Sequence, residues 1–140
     1  MKKLFCTTLF IFPIVLMAQV HIELGVGANV KTKNPICKIA FGMEVNKVVL
    51  EVVEQPTITR KINSPNYFGG RAGYNINGFV PSVGYFYSHA SSDDKWCNEW
   101  FVGYALKYQY VLTENGGLYA EAMYINNQPE ITVGFHVIIN

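Results

Sequence analysis

The residues from Glu130 to Asn140, Glu-Ile-Thr-Val-Gly-Phe-His-Val-Ile-Ile-Asn, put Ile131, Val133, Phe135, Val137 and Ile139 on one face of a strand. Thr132, Gly134, His136 and Asn140 fall on the other. A period of two with an unbroken apolar face belongs to a strand that has one side in an apolar medium. The alternation runs up to the last residue of the sequence, the layout expected of the closing strand of a β-barrel whose outside touches lipid.

The same pattern recurs upstream. After Gln19 the chain divides into about eight alternating segments, each near the 9 to 11 residues that a tilted membrane strand requires. In Val20 to Val30 the valines, Ile22, Leu24 and Ala28 oppose His21, Glu23, Gly25, Gly27 and Asn29. In the second, Cys37, Ile39, Phe41 and Met43 oppose Lys38, Ala40, Gly42 and Glu44, and in the third, from Val48 to Val53, Glu51 marks the inward face. Tyr67 to Ile76, Phe79 to Ser88, Trp100 to Val111, Gly117 to Ile125 and the closing segment complete the set. Asn77-Gly78 is a strong two-residue hairpin signal, and Pro81 predicts a bulge beside that turn. The connections after segments two, four and six are tight. Those after three and five, Gln55 to Asn66 and Ser88 to Glu99, are long, polar and rich in loop residues. This asymmetry predicts short turns on one rim and longer external loops on the other, with both termini on the short-turn, periplasmic side. The fold class expected is all-β, a closed eight-stranded antiparallel up-and-down transmembrane β-barrel.

The front of the chain has another logic. Lys2 and Lys3 precede an apolar run from Leu4 to Met17, and Ala18 precedes Gln19. This is the layout of a cleaved secretory signal peptide over residues 1–18, ahead of a single barrel domain over 19–140. The run of about 14 residues is shorter than the roughly 20 that a membrane-crossing helix needs, and Pro13 breaks it. Without Lys2 and Lys3, the remaining Lys and Arg nearly balance the 10 Asp and Glu. That near neutrality gives no footprint for nucleic acid. Charged residues make up only 15% of the chain and aromatics 14%, whereas a soluble domain carries about 25% charge. The composition therefore points to a surface that meets lipid through strands.

The inward faces collect Glu23, Lys38, Glu44, Glu51, Arg71, Lys107 and Glu121, with His21 and His136 toward the periplasmic half. Charges persist in such a lumen only when paired or hydrated. Counting from the Glu114 turn sets Lys107 opposite Glu121, and counting from the centre of the second long loop sets Arg71 near Glu51. Both are expected as interior ion pairs within a self-satisfying polar plug, as an eight-stranded barrel has room only for side chains. An ion path or catalytic carboxylates is the competing reading of these charges. On the outer face Tyr74, Tyr108 and Tyr110 mark one rim, and Tyr85, Tyr87, Trp100 and Tyr124 the other, as interfacial girdles. A soluble ligand-binding barrel would reverse the two faces, with an apolar inside and a charged outside. Cys37 and Cys97 lack metal-ligand spacing; in an exported protein they form a disulfide or remain separate thiols. No phosphate loop, metal motif or repeat appears, so no cofactor is expected.

Several stretches resemble the strand signatures of small eight-stranded outer-membrane barrels typified by the OmpA transmembrane domain and OmpX. They are Gly-Phe-Val-Pro-Ser-Val-Gly-Tyr at 78 to 85, Leu-Lys-Tyr-Gln-Tyr at 106 to 110, Gly-Leu-Tyr-Ala-Glu-Ala at 117 to 122 and Thr-Val-Gly-Phe at 132 to 135. The resemblance covers the chain after the signal segment, although many such barrels end on an aromatic residue where this one has Asn140. It implies a monomer in the outer membrane of a Gram-negative bacterium, not a general porin. Its partners would be outer-membrane lipid and lipopolysaccharide, the barrel-assembly machinery during biogenesis, and a surface ligand at loops 55–66 and 88–99. The role implied is structural or surface-interacting. The alternative is an outer-membrane lipid-modifying hydrolase. His89-Ala90-Ser91 resembles the His-x-Ser of lipid A deacylases, where His89 would act as general base for Ser91 and Glu99 would orient His89. Ser92 stands where that family usually has Asn, and a polar surface loop accounts for the same residues.

Overall fold

The computed structural model describes residues 18–58, 66–89 and 99–139. Residues 1–17 of the expected signal segment lie outside them, as do Ser91 and Cys97. Eight strands follow in chain order: β1 (Gln19–Asn29), β2 (Pro35–Val45), β3 (Val48–Gln55), β4 (Asn66–Tyr74), β5 (Phe79–His89), β6 (Glu99–Thr113), β7 (Gly116–Ile125) and β8 (Gln128–Ile139). Each pairs antiparallel with its predecessor, and β1 closes on β8 from Val20↔Ile139 to Asn29↔Glu130. Closure pairs every strand on both sides and leaves no open sheet edge, which an apolar surround demands of a strand structure.

Tight turns set the registers. Asn46-Lys47, Asn77-Gly78 and Asn126-Asn127 each place two successive residues at positive φ, the geometry whose twist matches paired strands and which Asn and Gly tolerate best. Asn75 Oδ1 accepts from the Gly78 N–H at 2.9 Å, and Ile76 and Phe79 exchange backbone bonds across that hairpin. Pro81 makes no bulge: it sits in regular register opposite Leu106, and the register shift falls instead between Val111 and Thr113. The missing Pro81 N–H acts on the other side, where the β4–β5 ladder stops at Gly73↔Ser82.

The alternation read from the sequence becomes two surfaces. The outward face is apolar apart from Glu54 on β3; Phe135, for example, is 65% exposed. Phe79 and Tyr108 touch at 4.6 Å near the turn rim, and Trp100 stacks on Tyr85 at 4.9 Å near the loop rim. The inward face departs from the expected polar plug. Its loop-side part is an apolar cluster of Ala40, Val53, Tyr67, Phe86, Ala105, Met123 and Ile125, with Phe101 packed against it. The reason lies in β3 to β7, whose loop-side ends turn these large side chains inward. The ion-paired charges lie in the middle of the lumen.

Candidate functional site

Six strands each contribute one charged side chain to the mid-lumen: Glu23 from β1, Lys38 from β2, Glu51 from β3, Arg71 from β4, Lys107 from β6 and Glu121 from β7. All six are buried, none more than 5% exposed. Lys38 Nζ lies 2.8 Å from both Glu23 Oε2 and Glu121 Oε2. Arg71 Nη2 donates to Glu121 Oε2 at 2.6 Å, and Arg71 Nε donates to Glu51 Oε2. Lys107 Nζ donates to Glu51 Oε1 and, at 2.5 Å, to Glu23 Oε1. The contacts trace a closed circuit, Glu23, Lys38, Glu121, Arg71, Glu51, Lys107 and back to Glu23, in which charge alternates at every step. Every carboxylate touches at least two cations and every cation at least two carboxylates, and Arg71 Nη2 also lies 3.9 Å from Glu23 Oε2 across the circuit.

Smaller contacts hold the circuit in place. His21 Nε2 lies 2.9 Å from Glu51 Oε1, Gln109 Nε2 donates to Glu23 Oε1 at 3.3 Å, and Lys38 Nζ sits 4.6 Å from the centre of the Tyr119 ring, a cation–π contact. Glycines make the room. A Cβ at Gly42 would fall 2.5 Å from His21 Nε2 and 2.6 Å from Glu51 Cγ, and one at Gly84 would fall 2.7 Å from Arg71 Cβ.

The sequence-derived pairs are redistributed in this circuit. Arg71 and Glu51 are cross-strand partners and bond directly. Lys107 and Glu121 are also cross-strand partners, but no ion pair joins them. Lys107 reaches instead to Glu23 and Glu51, and Glu121 is taken by Lys38 and Arg71. Register fixes which Cα atoms face each other, whereas a long side chain in a closed lumen can cross to a strand far away in sequence. Glu23 and Lys38, read from the sequence only as inward charges, are full members of the circuit.

Chemically the arrangement is saturated. His21, Glu23 and Glu51 place ligand atoms within 4.8 Å of one another, but both carboxylates already hold Lys107 and each holds a second cation. Three carboxylates balance three permanent cations, so a further metal cation would meet no net negative charge, and the residues do not fit a metal centre. No carboxylate of the circuit is free to act as a general base. Glu130 differs. It is 4% exposed and accepts from Gln55 Nε2 at 2.6 Å and Asn29 Nδ2 at 3.4 Å, with no cation against it among the described residues.

At the loop rim His89 and Glu99 end β5 and begin β6, both exposed, with Ser88 opposite Glu99 in the register. Ser91, the third member of the expected hydrolase cluster, lies outside the described residues. Cys37 faces outward on β2, half-buried; its pairing with Cys97 concerns a residue outside the described set.

No family model and no curated protein matches the chain. Solved structures do. The barrel is similar to a de novo designed transmembrane β-barrel at 16% identity over 86% of this chain and 95% of that one, with a TM-score of 0.55. It is similar to the designed barrel TMB2.3, solved by NMR in solution, at 15% identity over 88% and 95%, with a TM-score of 0.58. Neisserial surface protein A is matched at 17% identity over 87% and 94%, with a TM-score of 0.47. At these identities the likeness is one of fold, and the fold is the closed antiparallel barrel of transmembrane β-barrels.

Proposed function

We propose that this chain is an integral outer-membrane β-barrel protein with a structural or surface-interacting role, non-enzymatic, monomeric, and closed to general diffusion. Residues 1–18 act as its signal segment, both termini face the periplasm, and loops 55–66 and 88–99 present the surface a partner meets. The observation that carries this reading is the opposition of the two faces: an apolar belt around the whole outside and a charge-balanced, buried circuit across the inside. An exterior of this kind is unfavourable in water over so large a continuous area, and a lumen blocked by mutually bonded side chains offers no water column to ions.

Two measurements test it. Cell fractionation after expression in a Gram-negative host places the processed chain in the outer membrane, with heat-modifiable gel mobility. Purified protein in planar bilayers gives no steady conductance. A soluble or inner-membrane product, or a reproducible open channel, overturns the reading.

A further inference from the structure

At the loop rim the seam between β1 and β8 ends under two lysines. The ladder of these strands runs to Asn29↔Glu130 and is extended by a bond from the Val30 N–H to Pro129 O at 2.8 Å. Immediately beyond it, the hairpin joining β1 to β2 carries Lys31 and Lys33, both exposed. Lys31 Nζ donates to Asn127 O in the β7–β8 hairpin at 2.6 Å, so its ammonium lies across the top of the seam. Tyr124 marks this height as an interface. Its ring faces outward, 46% exposed, and its hydroxyl donates to Asn127 Oδ1 at 2.5 Å, an apolar body with a polar tip placed where hydrocarbon meets headgroups.

Below the lysines the outer wall is notched. A trough of about 400 Å³ follows the seam from Lys33 at its upper end to Val26 and Val133 at its lower end, with Val30 and Ile131 beside it. Ala28, across from Ile131 in the ladder, is the short side chain between Val26 and Val30 that leaves the notch. Val26 adjoins Gly25, which pairs with Lys38 of the charged circuit, so the lower end lies near mid-wall. From Val30 to Val26 the strand covers about 13 Å, less than half of a roughly 30 Å hydrocarbon core. The two parts together match a molecule of the loop-side leaflet, with a polar end at the rim and an apolar chain below it.

We propose that Lys31, Lys33 and this trough bind one lipid of the loop-side leaflet whose headgroup carries a phosphate monoester, the two ammonium groups donating to the phosphate while one acyl chain lies over Ala28. The proposal rests on the membrane placement above. Charge complementarity selects the headgroup, since a phosphate monoester carries about −1.5 to −2 charges at neutral pH and meets two lysine cations. Depth selects the chain, since the lower trough lies within the apolar belt, where a soluble anionic partner does not reach. A second copy of this protein is the poorer occupant, because a two-fold pairing of like surfaces across the seam sets lysines against lysines.

The test uses the full chain in detergent micelles doped with phosphatidic acid, phosphatidylglycerol or phosphatidylcholine of identical acyl chains, with retained lipid counted by native mass spectrometry. Phosphatidic acid, the monoester, is expected to be retained roughly thirtyfold over the zwitterionic choline lipid, about fivefold for each lysine at a membrane surface, with the singly charged glycerol lipid between them. Lys33→Gln should lower retention of phosphatidic acid about fivefold, and the double variant Lys31→Gln/Lys33→Gln should bring it to the level of the choline lipid. Ala28→Leu, which fills the trough, lowers retention of all three lipids. These variants should keep heat-modifiable mobility, since the three side chains are exposed on the outside. Equal retention of phosphatidic acid and the choline lipid, or unchanged retention in Ala28→Leu, overturns the site. A preference that survives the double variant assigns the anionic lipid to other basic residues and overturns it as well. A chain that fails to fold in micelles or bilayers overturns the membrane placement itself, so the two failures are distinguishable.

Discussion

At mid-lumen, six charged side chains from six strands neutralise one another, while toward the loops Tyr67, Phe86, Phe101, Met123 and Ile125 fill the same barrel with apolar bulk. The charged region is directional. Each member needs two specific partners, and a slip of one residue in any contributing strand would turn its charge to the outside. The apolar region only needs volume. Phe86 lies over three glycines, with its atoms 2.8 Å or closer to where a Cβ would stand at Gly69, Gly84 and Gly103. Its constraint is steric and local. Closure of this barrel in one register is specified by the charges, and the aromatic wedge fills the lumen on their loop side.

The sharpest way to break that division is Lys107→Met. It leaves Glu23 and Glu51 buried with one fewer cation each, and a loss of about 3 to 5 kcal/mol is expected, the cost of an uncompensated buried charge. Urea unfolding in lipid vesicles measures it. Combined with Glu51→Gln in a double-mutant cycle the change should couple more strongly than with Glu121→Gln, which belongs to the same network but makes no direct contact with Lys107. A coupling of Lys107 to Glu121 as large as that to Glu51 would contradict the circuit.

Phe86→Ala probes the other region. Removing a fully buried aromatic ring should cost about 3 to 4 kcal/mol, read in the same unfolding assay, with the charged circuit left to block ion flow. Smaller still is Gly103→Ala, whose Cβ would press on the Phe86 ring; overpacking of this kind costs about 1 to 3 kcal/mol. Shortening the neighbour with Phe86→Leu should relieve part of that loss. If Gly103→Ala is equally harmful in both backgrounds, the ring is not what the glycine accommodates.

The sequence makes the strands, their faces and the hairpins legible because alternation and positive-φ turn residues are local signals. Asn77-Gly78 and the closing strand are found from a few residues each. The partners inside the lumen are not local. Lys107 stands opposite Glu121 in the ladder and bonds elsewhere, because the geometry of closure decides which strands face each other across the lumen. The apolar wedge is hidden for a related reason: Val53, Phe86 and Met123 read as ordinary members of mixed strands, and only the barrel gathers them at one level. Glu130 escapes notice because it sits beside the Asn-Asn-Gln-Pro turn and looks like the first residue of a strand rather than a lumen residue.

Glu130 and Glu121 sharpen the comparison to two buried carboxylates on neighbouring strands. Glu121 is held by Lys38 and Arg71, and Glu130 only by the amides of Gln55 and Asn29. Glu121→Gln leaves Lys38 and Arg71 with one carboxylate fewer each and belongs with the costly changes. Glu130→Gln removes a buried charge that has no cation among the described residues, and the new side chain keeps an oxygen to accept one of the two amide bonds. The loss of the second bond and the relief of the uncompensated charge oppose each other, each about 1 to 3 kcal/mol, so the net change in stability should lie close to zero. The paired measurement is unfolding of the two variants side by side at neutral pH. A Glu130→Gln loss as large as that of Glu121→Gln would mean that Glu130 has a cationic partner of its own, and the loop-side region would then be as dependent on ion pairing as the middle of the barrel.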